Sequence, residues 1–262
     1  MKNVNLSMNT NPSSYKQANV DEWNNNEGEL TGYKCSECKN KGYIMFLNDD
    51  NIETLRDCSC KKIRSSLKNI KQSGLENLLE DYSFEKFTTE ELWQKKIKDS
   101  AIRFMSDTYG NWYFIGGQVG SGKSHVCTAI VKELLLKGNE ALYMKWRDDS
   151  VGLKKAITSD NNDYSPAISR YKNVKVLYID DFLKTEKGKQ PSAADIMLAF
   201  EILNHRYINK DLITIISTER SVDELIEIDE AIGSRIYQRS KNYCIELAPD
   251  KTKNMRMKGL FK

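Results

Sequence analysis

The sequence predicts an α/β fold built on a doubly wound parallel β-sheet. From Asn111 onward, short apolar segments of strand length alternate with longer segments of helical periodicity. This alternation is typical of parallel β-α-β units, whose strands are buried on both faces. The pattern extends over roughly 150 residues, a usual size for a single domain.

Each predicted strand is a short run of aromatic and aliphatic residues. The first strand ends in two glycines, Gly116 and Gly117, and a helix is predicted shortly afterwards. Helical spacing of apolar residues predicts helices over 126–136 and 193–207. The predicted strands are 112–115, 141–146, 174–179, 212–217 and 243–247.

The residues before this region are predicted to form three further segments. Residues 1–30 contain eight asparagines and few large apolar side chains, which predicts a mobile tail with a short docking segment around Trp23. Residues 31–65 hold four of the six cysteines and predict a small cysteine-pinned module. Residues 66–107 are helical in pattern with breaks such as Gly74, and predict a helical linker to a domain at 108–262. The residues at helical spacing there are Leu75, Leu78, Leu79 and Tyr82.

Composition excludes several classes of protein. The chain has 262 residues, and its hydrophobic fraction of 39% supplies a core, which excludes a fully disordered protein. The longest aliphatic run, 212–216, is too short to cross a bilayer. The first ten residues lack the apolar stretch of a secretory signal. We therefore expect a soluble cytoplasmic protein without a membrane partner.

Charge is nearly balanced overall but unevenly distributed. The net charge is +3, although residues 1–30 hold two lysines against four acids. Residues 235–262 hold eight basic residues against two acids. This basic end is compatible with a polyanion, either nucleic acid or nucleotide phosphate, and equally with a solvated tail.

A glycine-rich segment predicts a phosphate-binding loop. Residues 117–124 fit G-x-x-x-x-G-K-[ST] without a mismatch, and a predicted strand and helix flank them. Glycines let backbone N–H groups approach phosphate oxygens, and the helix adds the positive end of its dipole. Lys123 is expected to reach the β- and γ-phosphates, and Ser124 to bind Mg²⁺. The predicted nucleotide-binding set is Gly117, Gln118, Val119, Gly120, Ser121, Gly122, Lys123 and Ser124.

Two acids end the apolar strand predicted at 174–179. Ligands of open α/β sheets bind at the carboxyl ends of the strands, where Asp180 and Asp181 lie. Asp180 is expected to hold Mg²⁺, and Asp181 to orient or deprotonate the attacking water. An Asp after a strand is often only a cap, but the phosphate-binding loop favours Mg²⁺-dependent hydrolysis of a nucleoside triphosphate.

Four cysteines predict a zinc site. Cys35-x2-Cys38 and Cys58-x-Cys60 form two close pairs in polar, turn-like sequence, as a tetrahedral Zn²⁺ requires. Zinc would supply folding energy that a module of this size lacks. Disulfides and four free thiols remain as alternatives, the former disfavoured in the cytosol.

The remaining cysteines and both histidines are assigned no chemistry. Cys127 and Cys244 lie in predicted core elements and are expected to be small core residues. His125 and His205 have no partners at metal-ligand spacing.

Together these motifs resemble the AAA+ ATPases of the bacterial and phage helicase-loader family (DnaC/DnaI-like, with IstB-like transposition ATPases as relatives). The resemblance runs from about Cys35 to Arg256. It rests on the glycine-rich loop, the acid pair and the cysteine module followed by Tyr-Ser-Phe-Glu-Lys-Phe. The other similar stretches are 194–207, 214–218 and 229–236.

The resemblance implies further site residues. Arg235 falls at the arginine-finger position, which reaches the ATP of a neighbouring subunit. Arg256 matches a C-terminal sensor arginine. Thr218 is the candidate for the first sensor, where the family usually has Asn. Few residues follow the last predicted strand, so the resemblance implies a P-loop AAA+ domain without a full helical lid.

The implied function is an ATPase that binds a replicative hexameric helicase and loads it onto single-stranded DNA. ATP, Mg²⁺ and Zn²⁺ are the implied cofactors, and subunits self-associate through a shared ATP site. Lys154, Lys155 and Tyr171 combine charge with an aromatic ring, and are the candidate DNA contacts. Two alternatives stay open, namely an ATPase helper of a DNA transposase and a zinc-stabilised adaptor that uses ATP as a structural switch.

Overall fold

The computed structural model describes residues 12–72, 79, 81–157, 164–186 and 188–257. The chain divides into two compact units, Met1–Ser65 and Ser66–Lys262, which are described separately. Gly74, Leu75 and Leu78 of the predicted linker lie outside the described residues. None of the helices in the described ranges combines the length and apolarity needed to cross a bilayer.

The first unit contains a helix, a β-hairpin and the start of a second helix. Helix α1 (Pro12–Asn25) lies in the segment predicted as a mobile tail. Strands β1 (Tyr43–Leu47) and β2 (Glu53–Asp57) pair antiparallel, and α2 (Cys60–Gln72) begins at the last cysteine of the module. The Asn24 side chain donates to the Met45 carbonyl at 2.9 Å and accepts from its N–H at 3.1 Å, which holds α1 against the free edge of β1.

The second unit is built on a five-stranded parallel sheet, which confirms the predicted α/β fold. Its strand order is β4-β5-β6-β3-β7, so the strand before the glycine-rich loop has a neighbour on each side. All four pairings are parallel. The strands are β3 (Tyr113–Gly117), β4 (Ala141–Lys145), β5 (Val176–Asp180), β6 (Ile213–Ser217) and β7 (Cys244–Leu247).

Seven further helices belong to this unit in the described ranges. The predicted helices appear as α4 (Lys123–Leu136) and α7 (Ala193–Ile208). Two short 3₁₀ turns, Lys251–Lys253 and Met255–Met257, follow β7. The other helices are α3 (Leu92–Phe104), α5 (Trp146–Ile157), α6 (Tyr164–Asn173), α8 (Val222–Ile228) and α9 (Glu230–Ser240).

Alternating strand side chains supply two cores, one on each face of the sheet. On β3, Tyr113 and Ile115 join the core on one face, whereas Phe114 joins the core on the other. Helices α3 and α4 cover the first face with residues such as Phe104 and Ile130. Helices α5 to α9 contribute to the second core, α7 through residues such as Ile202.

Part of the segment predicted as a linker also packs into this unit. Phe87, Ile97 and Phe104 are almost completely buried in the first core. The described part of 66–107 therefore contributes to the compact unit Ser66–Lys262. The division into a linker and an ATPase domain stays a prediction.

Candidate nucleotide site

A cleft of about 530 Å³ lies where the carboxyl ends of β3 and β5 meet the start of α4. It brings together most of the residues that the sequence predicted for nucleotide binding. The predicted residues that line it are Val119, Gly120, Gly122, Lys123, Ser124, Asp180, Asp181 and Arg256. Five residues without a predicted role also line it, namely Tyr82, His125, Lys184, Glu219 and Met255.

The loop conformation depends on its glycines. Gly117, Gly120 and Gly122 have φ angles of 97°, 76° and 85°, in the left-handed region that other residues rarely adopt. A Cβ atom on Gly120 would lie 2.0 Å from Oδ1 of Asn254. Ser121 is buried and donates to the Gln118 carbonyl at 2.8 Å. The three glycines therefore allow the tight backbone turns of the loop, and Gly120 leaves room for Asn254.

Lys123 is held inside this cradle. Its Nζ donates to the carbonyls of Gly117 and Gln118, at 2.7 and 2.6 Å. Burial lowers the pKa of Lys123, while Glu219 and Asp181 oppose that shift. The ammonium is therefore partly removed from water beside the loop. A phosphate anion bound there would interact with it more strongly than in water.

Asp180, at the end of β5, accepts hydrogen bonds from three hydroxyl groups. Its Oδ1 accepts hydrogen bonds from the hydroxyls of Ser124, at 3.1 Å, and Ser217. Its Oδ2 accepts from the hydroxyl of Tyr143 at 3.0 Å. A carboxylate beside a serine hydroxyl is an oxygen donor set that suits Mg²⁺. The residues present therefore fit a magnesium nucleotide.

Asp181 lies beside Asp180 and faces a lysine. Its backbone is left-handed, with φ at 53°. Its Oδ2 lies 3.1 Å from Nζ of Lys184, which also lies 2.8 Å from Oε1 of Glu219. The acid expected to act on water is thus part of a charged triad within the cleft.

An aromatic platform was missed by sequence reasoning. Tyr82 stacks on His125 with centroids 4.5 Å apart, and Phe87 meets the His125 ring edge to face. The ring nitrogen Nε2 of His125 lies 2.9 Å from the Ser83 carbonyl, and burial lowers the pKa of His125. The sequence signal for a binding role of His125 is its position directly after Ser124 of the phosphate-binding loop. These two stacked rings line the cleft.

The sensor candidate Thr218 is not brought to the cleft. Its hydroxyl donates to the Phe182 carbonyl at 2.8 Å, and the residue is 1% exposed. Thr218 directly follows β6, which ends at Ser217. Its two neighbours do reach the site, since the Ser217 hydroxyl donates to Asp180 and Glu219 lines the cleft.

The two predicted arginines lie in different places. Arg256 lines the cleft from the second 3₁₀ turn, and the adjacent Met255 N–H donates to the Gly120 carbonyl at 2.9 Å. Arg235 is not among the lining residues. Its Nε donates to Oδ1 of Asn204 at 3.1 Å, and its guanidinium lies 5.1 Å from the Phe200 ring.

The candidate DNA contacts are partly engaged within the chain. Lys154 forms an ion pair with Asp195, and its side chain is 27% exposed. Tyr171 is half-buried against the second core, and burial raises its pKa to about 12. Lys155 lies beside Lys154 on α5 and is exposed. These contacts make Tyr171 a packing residue in the described structure.

The four cysteines of the first unit form one buried cluster. Their sulfur atoms all lie within 4.8 Å of one another, with Cys35–Cys58 at 3.7 Å and Cys38–Cys60 at 3.5 Å. Zn–S bonds of about 2.3 Å in a tetrahedron place sulfurs about 3.8 Å apart. The cluster therefore has the dimensions of a Cys₄ metal site, while its sulfurs are too far apart for disulfides.

The remaining cysteines and the second histidine lie outside the cleft. Cys127 is fully buried in the first core, as predicted, whereas Cys244 is half-buried against the second. Nε2 of His205 lies 3.0 Å from Oδ1 of Asn173, and burial lowers the pKa of His205. None of the three has a partner that indicates chemistry.

The family model described as IstB-like ATP binding protein matches residues 38–258. The phage-like element PBSX protein XkdC of Bacillus subtilis is 30% identical over 235 residues, covering 84% of each chain. The replicative helicase loader DnaC of Escherichia coli K12 is 25% identical over 173 residues, covering 65% of this chain and 67% of DnaC.

Solved structures show the same fold. The crystal structure of the DnaC helicase loader superposes with a TM-score of 0.54 at 20% identity, over 66% of this chain and 98% of that chain. The structure of AMPPCP-bound DnaA from Aquifex aeolicus superposes with a TM-score of 0.53 at 20% identity, over 66% of this chain and 52% of that chain. At this identity the likeness extends to the fold alone.

Proposed function

The chain belongs to the IstB-like ATP-binding protein family, and from this premise we propose that it is an AAA+ ATPase that hydrolyses ATP to ADP and phosphate. One observation carries the proposal. The glycine loop with Lys123 and the strand end with Asp180 meet in one cleft. There, Oγ of Ser124 lies 3.1 Å from Oδ1 of Asp180.

The residues predicted for phosphate, Mg²⁺ and water then have separate chemical roles. Backbone N–H groups of the loop and the ammonium of Lys123 bind the phosphates. Ser124 and Asp180 hold Mg²⁺, which when bound neutralises charge on the phosphate oxygens. Asp181 orients the attacking water and accepts its proton. Arg256 adds a second cation at the phosphates.

The aromatic platform is proposed to hold the base. Tyr82 and His125 line the same cleft as the loop, and a purine gains most by stacking on such rings. Burial lowers the pKa of His125 and so disfavours its charged form, and the two rings offer a stacking surface. This assigns a binding role to a histidine that the sequence left without one.

Turnover tests the assignment directly. Lys123→Ala removes the phosphate cation and Asp180→Ala removes the magnesium ligand, so either change is expected to abolish phosphate release. The measurement is steady-state phosphate release with Mg²⁺ and ATP. Normal turnover by either variant would place hydrolysis elsewhere. Binding of ATP without any turnover by the wild-type protein would favour the adaptor alternative.

We further propose that the ATPase serves to load a replicative hexameric helicase onto single-stranded DNA. The proposal is supported by the relative from Escherichia coli, which is a replicative helicase loader, and by the shared fold. Lys154 and Lys155 on α5 stay the candidate DNA contacts. A pull-down with the host helicase tests the partner, and capture of a transposase instead would favour the transposition alternative.

Zinc is proposed as the metal of the cysteine cluster. Burial raises the pKa of the Cys58 and Cys60 thiols, so thiolates there need a compensating cation. The sulfur spacing fits tetrahedral Zn²⁺, and the segment 31–65 that carries the cysteines is too short to supply a large core of its own. Zinc would stabilise the fold of this unit and take no part in hydrolysis.

A further inference from the structure

Lys184 joins two carboxylates that come from the ends of different strands. Asp181 follows β5 and Glu219 follows β6, and the ammonium lies 3.1 Å from the first and 2.8 Å from the second. The Lys184 side chain is 29% exposed. Partial burial makes these attractions stronger than those of a fully solvated pair.

The turn that carries Asp181 has an uncommon backbone. Asp181 and Leu183 both have φ near 50°, which non-glycine residues adopt only where their surroundings fix them. Strand β6 and the residues after it provide that support. The Phe182 N–H donates to the Ser217 carbonyl at 2.9 Å, and Nε of Arg220 donates to the Leu183 carbonyl at 3.1 Å.

The side chain of Asp181 is held in a different way from its backbone. Its Oδ2 is engaged by Lys184, while a carboxylate has a second oxygen that can accept from water. Burial would lower the pKa of Lys184, but the bonds to Glu219 and Asp181 outweigh it and raise that pKa. The lysine is therefore a fixed positive charge between two acids.

We propose that Lys184, anchored by Glu219, is a positioning residue that fixes the carboxylate of Asp181 for the attack of water on ATP. The inference rests on the proposed ATPase function. Without the ammonium, Asp181 and Glu219 would repel each other across the cleft, and Asp181 would leave its place. Lys184 itself acts through Asp181 and binds no substrate in this proposal.

The first experiment separates binding from turnover by measuring kcat and KM for ATP. In Lys184→Met, kcat is expected to fall about 10- to 100-fold, the range for a displaced catalytic group, while KM stays nearly unchanged. Lys184→Arg keeps the cation and its donors, so it is expected to recover most of kcat. Lys189→Met is the matched control, because Lys189 is an exposed lysine of the same loop paired with Glu186.

The outcomes distinguish this inference from the proposed function. Wild-type turnover no higher than that of Lys123→Ala contradicts the ATPase proposal itself. Active wild-type protein with an unchanged or increased kcat in Lys184→Met overturns the positioning role, and an increase would make Lys184 a brake. A parallel loss in Lys189→Met would also overturn it, since the effect would then be general to the loop.

A second readout is independent of hydrolysis. Thermal unfolding of the full chain without nucleotide is compared for Lys184→Met, Glu219→Gln and the double variant. If the two side chains form a clamp, the shift in Tm of the double variant is smaller than the sum of the single shifts. Strictly additive shifts would show that Glu219 does not anchor Lys184.

Discussion

At the scale of single residues, Asp180 organises the cleft through four contacts. Besides the hydroxyls of Ser124, Ser217 and Tyr143, the N–H of Asp181 donates to its Oδ1 at 3.1 Å. Groups of the protein itself therefore orient the carboxylate. Such preorganisation is the usual source of electrostatic stabilisation in phosphoryl transfer.

Replacing Asp180 by asparagine tests this role. Asp180→Asn keeps the shape of the side chain but removes the charge that holds Mg²⁺, so kcat is expected to fall by at least about 100-fold. Tyr143→Phe is the matched control, since it removes only one hydrogen bond to Asp180 and should retain most activity. Both are measured by phosphate release. Similar rates for the two variants would contradict the metal-ligand assignment.

Arg206 is a fully buried cation that the site does not use. Its guanidinium donates to the carbonyls of Tyr171, Lys172 and Val174 at the end of α6, and to that of Ile213 on β6. Burial lowers its pKa to about 9. The guanidinium thus donates to carbonyls at the end of α6 and on β6, and ties α7 to both elements.

Removing this guanidinium is expected to destabilise the second unit. Arg206→Met leaves several buried carbonyls unsatisfied, which costs about 2–4 kcal/mol in the free energy of unfolding. Arg170→Met, at an exposed position on α6, is the control and should change little. Chemical denaturation measures both. Equal stability of the two variants would show that water replaces the arginine at no cost.

Some site residues could be predicted from the sequence and others could not. The loop residues could be predicted because the motif fixes both their type and their spacing. Asp180 could be predicted because it ends an apolar run of strand length. Thr218 was chosen by matching a family position, and its role as a sensor stays a prediction, although Glu219 and not Thr218 lines the cleft. Lys184 and Glu219 could not be paired from the sequence, since their contact depends on two strand ends meeting in space.

At the scale of elements, the glycine loop is packed against the C-terminal 3₁₀ turns. A side chain at Gly120 would collide with Asn254, and the left-handed backbone adds strain. Gly120→Ala is therefore expected to weaken ATP binding about tenfold or more by displacing that turn or the loop. Gly138→Ala shares the positive φ but has open space, so its ATP affinity should match that of the wild type. Equal Kd values for a fluorescent ATP analogue in both variants would contradict this packing argument.

Elements were predicted best where the hydrophobic pattern was strong. The bounds of strands β3 to β7 came within two residues. Strands β3 to β6 are mostly apolar because nearly all of their residues are buried. The hairpin of β1 and β2 was missed because β2 reads Glu-Thr-Leu-Arg-Asp and is mostly exposed. Helix α1 was missed for a related reason, since only Val20 among its described side chains is buried.

At the scale of the whole molecule, the cysteine unit is expected to depend on its metal. The purified protein should contain about one zinc per chain by elemental analysis, and Cys38→Ser should lose it along with a step in thermal unfolding. Cys244→Ser, outside the cluster, should keep the zinc. Absence of stoichiometric zinc from the wild-type protein would contradict the assignment.

Self-association through a shared ATP site can be tested by mixing inactive variants. Arg235→Ala lacks the proposed finger but keeps its own cleft, whereas Lys123→Ala keeps the finger but lacks a working cleft. If Arg235 acts on a neighbouring subunit, a mixture of the two is expected to regain ATP hydrolysis. Activity of Arg235→Ala alone, or no recovery on mixing, would count against action between subunits.

The most direct test of the central claim is transfer of the host replicative helicase to circular single-stranded DNA. The amount of helicase that co-elutes with the DNA is measured in the presence of ATP and Mg²⁺. The account predicts that wild-type protein increases it several-fold, and that Lys123→Ala binds the helicase but gives no increase. Equal transfer with and without the wild-type protein would contradict an ATP-dependent loader. Equal transfer by the wild-type protein and by Lys123→Ala would contradict it as well.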